Sequence, residues 1–201
     1  MNRTSSIDST PSETKCAALL CEAAKSQLVV IDIQAKLGAT IPVKVLNRVI
    51  DNTVLMLEAA KTLGIPVLAS EQYPKGLGPL EPRIIEHLPS GVQRFEKTSF
   101  SCVQANGFLD AVRNAARPHV VLAGMEAHVC ILQTAIDLSA HGFDVFVAED
   151  ALCSRKLENY QNALSRMQQS GVAVLSAESV VFEWLRDAKH EHFKAIAKLL
   201  R

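Results

Sequence analysis

Continuous apolar runs alternate with helical repeats along the whole chain. Apolar runs bounded by turn residues predict strands that are buried on both faces of a parallel sheet. These runs are QLVVIDI (27–33), IPVLAS (65–70), a short segment at 92–95, HVVLAG (119–124), FDVFVAED (143–150) and GVAVLS (171–176). Apolar residues spaced three or four apart predict helices between them. These are 44–63, around 81–88, a helix that runs through about 114, 128–141, 156–169, and one or two helices over 178–200.

This alternation of strand and helix predicts an α/β protein. Its expected architecture is a three-layer α/β/α sandwich with a mainly parallel six-stranded sheet. EQYPKGLGP (71–79) is rich in Pro and Gly and is predicted to be a loop at the carboxyl end of the second strand. We predict one domain over 25–201 that follows a disordered tail over 1–24, because the first 15 residues contain seven Ser or Thr.

The composition of the chain limits which classes of function and which cellular compartments we expect. The chain has 201 residues, 48% of them hydrophobic, with 21 basic and 21 acidic side chains. A neutral balance argues against nucleic-acid and membrane-surface partners. The five cysteines form no CxxC pair and are expected to be reduced thiols inside a cell. We expect a cytoplasmic protein; a mitochondrial one is the alternative, although the tail is not Arg-rich.

Chemically useful side chains follow three of the predicted strands. Asp32 ends the first strand, Lys97 follows the third, and Cys130 comes six residues after Gly124, which ends the fourth. The carboxyl ends of parallel strands meet at one edge of an open sheet, where ligands bind. We therefore expect a carboxylate, an ammonium and a thiol to converge there if those strands are neighbours.

Such a convergence suits acyl transfer. An ammonium and a helix start both favour a thiolate, so we expect the pKa of Cys130 to lie below its ordinary value. A carboxylate takes the proton and passes it to a leaving group. Backbone N–H groups of the turn at 124–130 hold the oxyanion of a tetrahedral intermediate. The predicted reaction is hydrolysis of an amide or related C–N bond through a thioester.

Each of these residues has a structural alternative. Cys130 fits an inert core position, Asp32 fits a turn cap, and Lys97 fits a surface position. Cys102 and Cys153 also follow strand ends and are rival thiols. Spacing by itself leaves these alternatives open.

Three motifs occur in order along the chain: VVIDIQ with Asp32, FEKTSFS with Lys97, and GMEAHVCI with Cys130. On these motifs the chain resembles the isochorismatase-like cysteine hydrolase superfamily, which includes the nicotinamidases. The resemblance is closest to the subgroup of isochorismatase domain-containing proteins and covers roughly residues 25 to 200. The segments that carry it are SEQYPKGLGP, KTSFS, EAHVCILQTAIDL, DALCSR and RMQQSGV.

The resemblance implies an isochorismatase-like, Rossmann-like fold and a catalytic triad. Cys130 is then the nucleophile, Asp32 the proton shuttle, and Lys97 the group that lowers the pKa of the thiol. The resemblance also implies a cis peptide between Met125 and Glu126, which turns the Glu126 amide towards the cavity. With the amide of Cys130 it forms the implied oxyanion hole.

The chain departs from the nicotinamidases in the loop after the second strand. Nicotinamidases carry a metal-binding Asp and His there, whereas EQYPKGLGP contains neither. We therefore expect no metal and no cofactor, and we do not expect nicotinamide to be the substrate. True isochorismatases cleave a vinyl ether and need no cysteine, so the presence of Cys130 favours carbonyl chemistry.

Four further residues are candidates for the substrate pocket. Gln34, Tyr73 and Phe100 follow strand ends, where they either line a pocket or pack. His128, two residues before Cys130, is either structural or directed at the substrate.

We expect a small-molecule substrate and a homo-oligomer. The C-terminal stretch FEWLRDAKHEHFKAIAKLLR has apolar residues at helical spacing, and serves either as an interface or as packing on its own sheet. Two other functions are open: a binding or scaffold protein without turnover, and a nucleic-acid-processing protein. The neutral charge and the missing metal ligands argue against the second.

Overall fold

The computed structural model describes residues 20–200. Within this range six strands form one sheet in the order β3-β2-β1-β4-β5-β6, and all neighbouring strands are parallel. The strands are β1 (Ser26–Ile31), β2 (Val67–Gln72), β3 (Gln93–Lys97), β4 (His119–Met125), β5 (Asp144–Cys153) and β6 (Ala173–Leu175). The predicted parallel α/β fold is confirmed.

Helices cover both faces of this sheet. They are α1 (Ala35–Gly38), α2 (Val43–Leu63), α3 (Pro74–Leu77), α4 (Pro82–His87), α5 (Phe108–Asn114), α6 (Leu132–Ala140), α7 (Leu157–Gln169), α8 (Ala177–Leu185) and α9 (Phe193–Ile196). One core lies under α2, α4, α8 and α9, and the other under α5, α6 and α7. Trp184 and Ile196 are buried in the first core, so the C-terminal stretch packs on its own domain.

The central strand β1 shows why an unbroken apolar run predicts a parallel strand. All of its residues are buried. Leu28 and Val30 belong to one core, and Val29 and Ile31 belong to the other. Because successive side chains point to opposite faces, both faces of a covered strand must be apolar.

The second strand is longer than its apolar run predicts. β2 continues to Gln72, which pairs with Lys97 of β3, and Pro74 then begins the short helix α3. The prediction of a loop over 71–79 is therefore wrong at its start. Main-chain pairing with the edge strand extends β2 through polar residues that hydropathy assigns to a loop, and proline suits the first turn of a helix.

The predicted tail over 1–24 falls mostly on residues outside the described range, as does Cys16. Cys21 is fully buried, and its backbone N–H donates to Glu183 Oε2 at 2.6 Å. The packed domain therefore begins no later than Cys21, rather than at residue 25. Among residues 20–200, no helix combines the length and apolarity that crossing a bilayer requires.

Candidate active site

The sheet order brings three side chains from distant parts of the sequence together. β1 lies between β2 and β4, and β3 lies beyond β2. Lys97 Nζ is 2.6 Å from Asp32 Oδ2 and 3.6 Å from Cys130 Sγ. All three residues are buried. The three residues predicted to be catalytic thus form one cluster at the carboxyl edge of the sheet.

Asp32 is held by bonds to both carboxylate oxygens. Oδ1 accepts from the Ser70 hydroxyl at 2.8 Å, and Oδ2 accepts from Lys97. Its backbone has a φ of 52°, a left-handed conformation that aspartate tolerates better than most residues, and its N–H donates to Ser70 O at 3.1 Å. The turn after β1 and the hydroxyl of β2 therefore fix the carboxylate in place.

The backbone before Cys130 is unusual in two respects. Gly124 has a φ of 139°, and a Cβ there would lie 2.0 Å from the carbonyl oxygen of Ile31, so only glycine lets β4 approach β1 this closely. The Met125–Glu126 peptide is cis, as the resemblance implies. A wide turn over Ala127–Ile131, in which the Ile131 N–H donates to Glu126 O, then carries Cys130 into the cluster.

The charge balance keeps Lys97 protonated. Burial is the largest single effect and acts to lower the pKa of Lys97. The charge of Asp32, the nearby sulfurs of Cys102 and Cys130 and the hydrogen bond to Asp32 together outweigh it, so the pKa lies above its ordinary value. Lys97 is therefore an ammonium in the folded protein.

The pKa of Cys130 is raised, so the expectation of a lowered value is wrong. Burial is the largest cause, the charge of Asp32 adds to it, and the charge of Lys97 opposes it only in part. The positive charge of Lys97 is balanced by the negative charge of Asp32, so little net positive charge remains to stabilise a thiolate on Cys130. Cys130 is therefore a thiol in the free protein, and its activation requires transfer of its proton.

Cys130 opens onto a cavity of about 440 Å³. Of the predicted pocket residues, Tyr73 and Phe100 line this cavity. Most of the surface that faces the cavity is apolar, although four of the seven remaining side chains are polar. These seven are Leu37, Thr40, Gln72, Leu77, Glu126, Val129 and Arg155.

Gln34 and His128 are not among the residues that line this cavity, and their contacts favour the structural alternative for both. Gln34 is buried, and its side-chain amide is hydrogen-bonded to backbone groups of Gln72 and Gly78. The His128 ring bonds to Ser154 Oγ at 2.9 Å and to Asn159 Nδ2 at 3.2 Å. Both side chains follow strand ends, but local turns direct them into the protein.

Sequence reasoning missed the side chains that support the cluster. Gln72 Oε1 accepts from Lys97 Nζ at 2.6 Å, and Ser70 donates to Asp32. Arg155 Nε donates to Glu126 Oε1 at 2.9 Å at the cavity wall. Gln72 carried a usable signal, because it is the true last residue of β2 and therefore stands at the functional edge of the sheet.

The described range, residues 20–200, contains no group of three or more His, Cys, Asp or Glu side chains placed to hold a metal ion.

Buried thiols make the fold sensitive to alkali. Burial raises the pKa of Cys21 and Cys102 from 9.0 to about 11, and that of Cys153 to about 12. Above pH 9 the unfolded chain loses thiol protons that the folded chain keeps, so the free energy of unfolding should fall as pH rises from about 9 to 11. The limiting slope is about 1.4 kcal/mol per pH unit for each such thiol.

Urea unfolding at pH 8, 10 and 11 measures this loss, and Cys153→Ala should reduce the slope relative to the unmodified chain. Equal stability at pH 8 and pH 11 would contradict the prediction.

Comparisons with known proteins give a consistent result. A family model described as the Isochorismatase domain matches residues 26–179. Isochorismatase domain-containing protein 2 of Danio rerio is 39% identical over 176 residues, which cover 87% of this chain and 86% of that protein.

Solved structures agree with this match. The Caenorhabditis elegans structure described as MAR1 ribonuclease has a TM-score of 0.84 and 34% identity, and the match covers 89% of this chain and 91% of that one. The YcaC gene product of Escherichia coli, described as an octameric hydrolase of unknown specificity, has a TM-score of 0.82 and 23% identity over 89% of this chain and 88% of that one, and shares the fold.

Proposed function

This chain belongs to the isochorismatase family, and from that premise we propose that it is a cysteine hydrolase that cleaves an amide or related acyl bond of a small molecule. The observation that carries the proposal is the buried cluster in which the Lys97 ammonium contacts both the Asp32 carboxylate and the Cys130 sulfur. Structural roles do not require a carboxylate and an ammonium to be buried beside a thiol that lines a cavity.

Asp32 is the proposed base, because the thiol cannot ionise by itself at neutral pH. As Sγ bonds to the carbonyl carbon of the substrate, the thiol proton passes to the Asp32 carboxylate, and the carbonyl π electrons become an oxyanion. The backbone N–H groups of Glu126 and Cys130 are the proposed oxyanion hole. Asp32 then gives its proton to the leaving nitrogen, the C–N bond breaks, and a thioester remains on Cys130.

Hydrolysis of the thioester repeats these steps with water. Asp32 takes a proton from water as the water oxygen bonds to the acyl carbon. The C–S bond breaks, the acid leaves, and Sγ regains a proton from Asp32. Lys97 stays protonated throughout and stabilises negative charge on the sulfur and on Asp32, which agrees with the direction of its pKa shift.

The cavity supports a small, partly apolar substrate. Its volume of about 440 Å³ lies in the range of small-molecule sites. Leu37, Leu77 and Val129 provide apolar surface near Cys130. Arg155 is the cation on the described cavity wall, and it is already paired with Glu126, so the wall suits an acyl compound better than a chain of phosphates.

A screen of small amides and ureido compounds with an ammonia readout tests the proposal. Turnover of at least one compound that disappears in Cys130→Ala is the expected result. Failure of every amide, in protein whose cavity still binds them, would favour the binding or scaffold alternative.

RNA cleavage is the second candidate, because the 34% identical C. elegans structure is described as a ribonuclease. RNA retention that resists physiological salt, together with cleavage that persists in Cys130→Ala, would replace the amide hydrolase proposal.

A further inference from the structure

We propose that Gln72 and Gln34, two amides outside the catalytic cluster, position the Lys97 ammonium against the Cys130 sulfur. The inference rests on the proposed role of Cys130 as nucleophile. It assigns Gln72 and Gln34 as positioning residues that act through Lys97.

The number of acceptors around Lys97 is the first observation. An ammonium has three N–H donors. Asp32 Oδ2 and Gln72 Oε1 each lie 2.6 Å from Nζ, whereas Ser99 O lies at 3.3 Å and Cys130 Sγ at 3.6 Å. Two short bonds therefore fix Nζ from two directions, and the third donor is shared between Ser99 O and the Cys130 sulfur.

The orientation of the Gln72 amide is determined by its partners. Nε2 donates to Thr98 O at 2.9 Å, and Oε1 accepts from Lys97 Nζ. The reversed amide would place an NH₂ group against an ammonium and an oxygen against a carbonyl, which is unfavourable at both ends. Gln72 is therefore a fixed, neutral acceptor.

Gln34 fixes the backbone that carries Gln72. The Gln72 N–H donates to Gln34 Oε1 at 2.8 Å, and Gln34 Nε2 donates to Gln72 O at 3.1 Å. The same Nε2 donates to Gly78 O at 2.5 Å, just after α3. Gln34 is 1% exposed, so water does not compete for these bonds. Gln34 is thus connected to Lys97 through its hydrogen bonds with Gln72. Its bond to Gly78 also connects it to the part of the cavity wall that contains Tyr73 and Leu77.

The neutrality of position 72 matters as much as its geometry. A carboxylate there would add a second negative charge beside Lys97, in addition to Asp32. It would bind the ammonium more tightly, and it would disfavour a negative charge developing on the sulfur. A glutamine holds the ammonium without that opposing charge.

The test measures the rate of iodoacetamide alkylation of Cys130 between pH 7 and pH 10, by mass spectrometry of its peptide. In the unmodified chain the rate should rise with pH across this range, because the thiol is protonated. Gln72→Glu should slow alkylation about tenfold at a fixed pH, which displaces the profile by about one pH unit. Gln169→Glu, which adds the same charge on the exposed face of α7, should match the unmodified chain.

Gln72→Met removes the acceptor without adding charge and should slow alkylation about threefold, the effect of losing one hydrogen bond. Gln34→Met should shift the profile in the same direction. Thermal melts confirm that each variant is folded. If folded Gln72→Glu and Gln72→Met both reproduce the profile of the unmodified chain, the positioning role is overturned. An unchanged profile in Gln34→Met alone removes Gln34 from it.

Alkylation requires no turnover, so the two proposals fail separately. A shifted profile in a protein that hydrolyses no amide would sink the hydrolase proposal and leave the positioning role in place. Amide turnover that depends on Cys130, with profiles unchanged by substitution at Gln72, would do the reverse.

Discussion

Cys130→Ser is expected to lower kcat/KM for a hydrolysed amide by about a thousandfold or more. A hydroxyl is far less acidic than a thiol, so Asp32 is too weak a base to activate it. Ammonia release under substrate-limited conditions measures the loss. Cys153→Ser is the matched control: Cys153 is also a buried thiol at the carboxyl end of a strand, but it does not line the cavity of Cys130. Its kcat/KM should stay within about twofold of the unmodified chain.

If activity is instead lost in Cys153→Ser and retained in Cys130→Ser, the nucleophile is Cys153 and the proposal is wrong. Measuring kcat/KM for Cys102→Ala in the same way tests Cys102, the third candidate nucleophile. Cys102 is fully buried, and its thiol contacts Ser70 Oγ at 3.4 Å rather than the cavity.

Lys97→Met is expected to damage both activity and stability. Its side chain and that of Asp32 are both 0% exposed, so the substitution leaves a carboxylate buried without its counter-charge. Removal of one member of such a pair costs about 3–5 kcal/mol of unfolding free energy. kcat should fall at least about a hundredfold, because charge on the sulfur and on the oxyanion loses its nearest cation. Urea unfolding and single-turnover kinetics measure the two effects.

The double variant Asp32→Asn, Lys97→Met separates the loss of stability caused by the unpaired Asp32 charge from the loss of activity. It removes the uncompensated charge, so it should recover at least about half of the lost stability while its activity stays absent. If Lys97→Met were as stable as the unmodified chain, the buried ion pair would not be the interaction described above.

The architecture was predictable because it depends on patterns that the sequence carries locally. β1 has apolar residues on both faces, and two helical layers can bury such a strand only in a covered parallel sheet. Gly64 marks the end of α2, where its φ of 65° suits glycine. β2 was predicted too short, because main-chain pairing with β3 extends it through polar residues.

The positions of site residues were predictable only where the ends of the strands determine them. Asp32 follows β1, Lys97 ends β3 and Cys130 follows β4, and the sheet order brings them together. The directions of Gln34 and His128 depend on turn geometry, which residue spacing does not encode. The pKa of Cys130 depends on its burial and on the distance to Asp32, and both are properties of the assembled fold.

An acyl group on the sulfur of Cys130 is the direct consequence of the proposed mechanism. Rapid acid quench of the protein with a hydrolysed amide, followed by mass spectrometry of the peptide that contains Cys130, measures it. We expect a mass gain equal to the acyl group on that peptide during the first turnover, and neither the gain nor turnover in Cys130→Ala. Continued turnover in Cys130→Ala, with no acylated peptide at any quench time, would contradict the proposed mechanism.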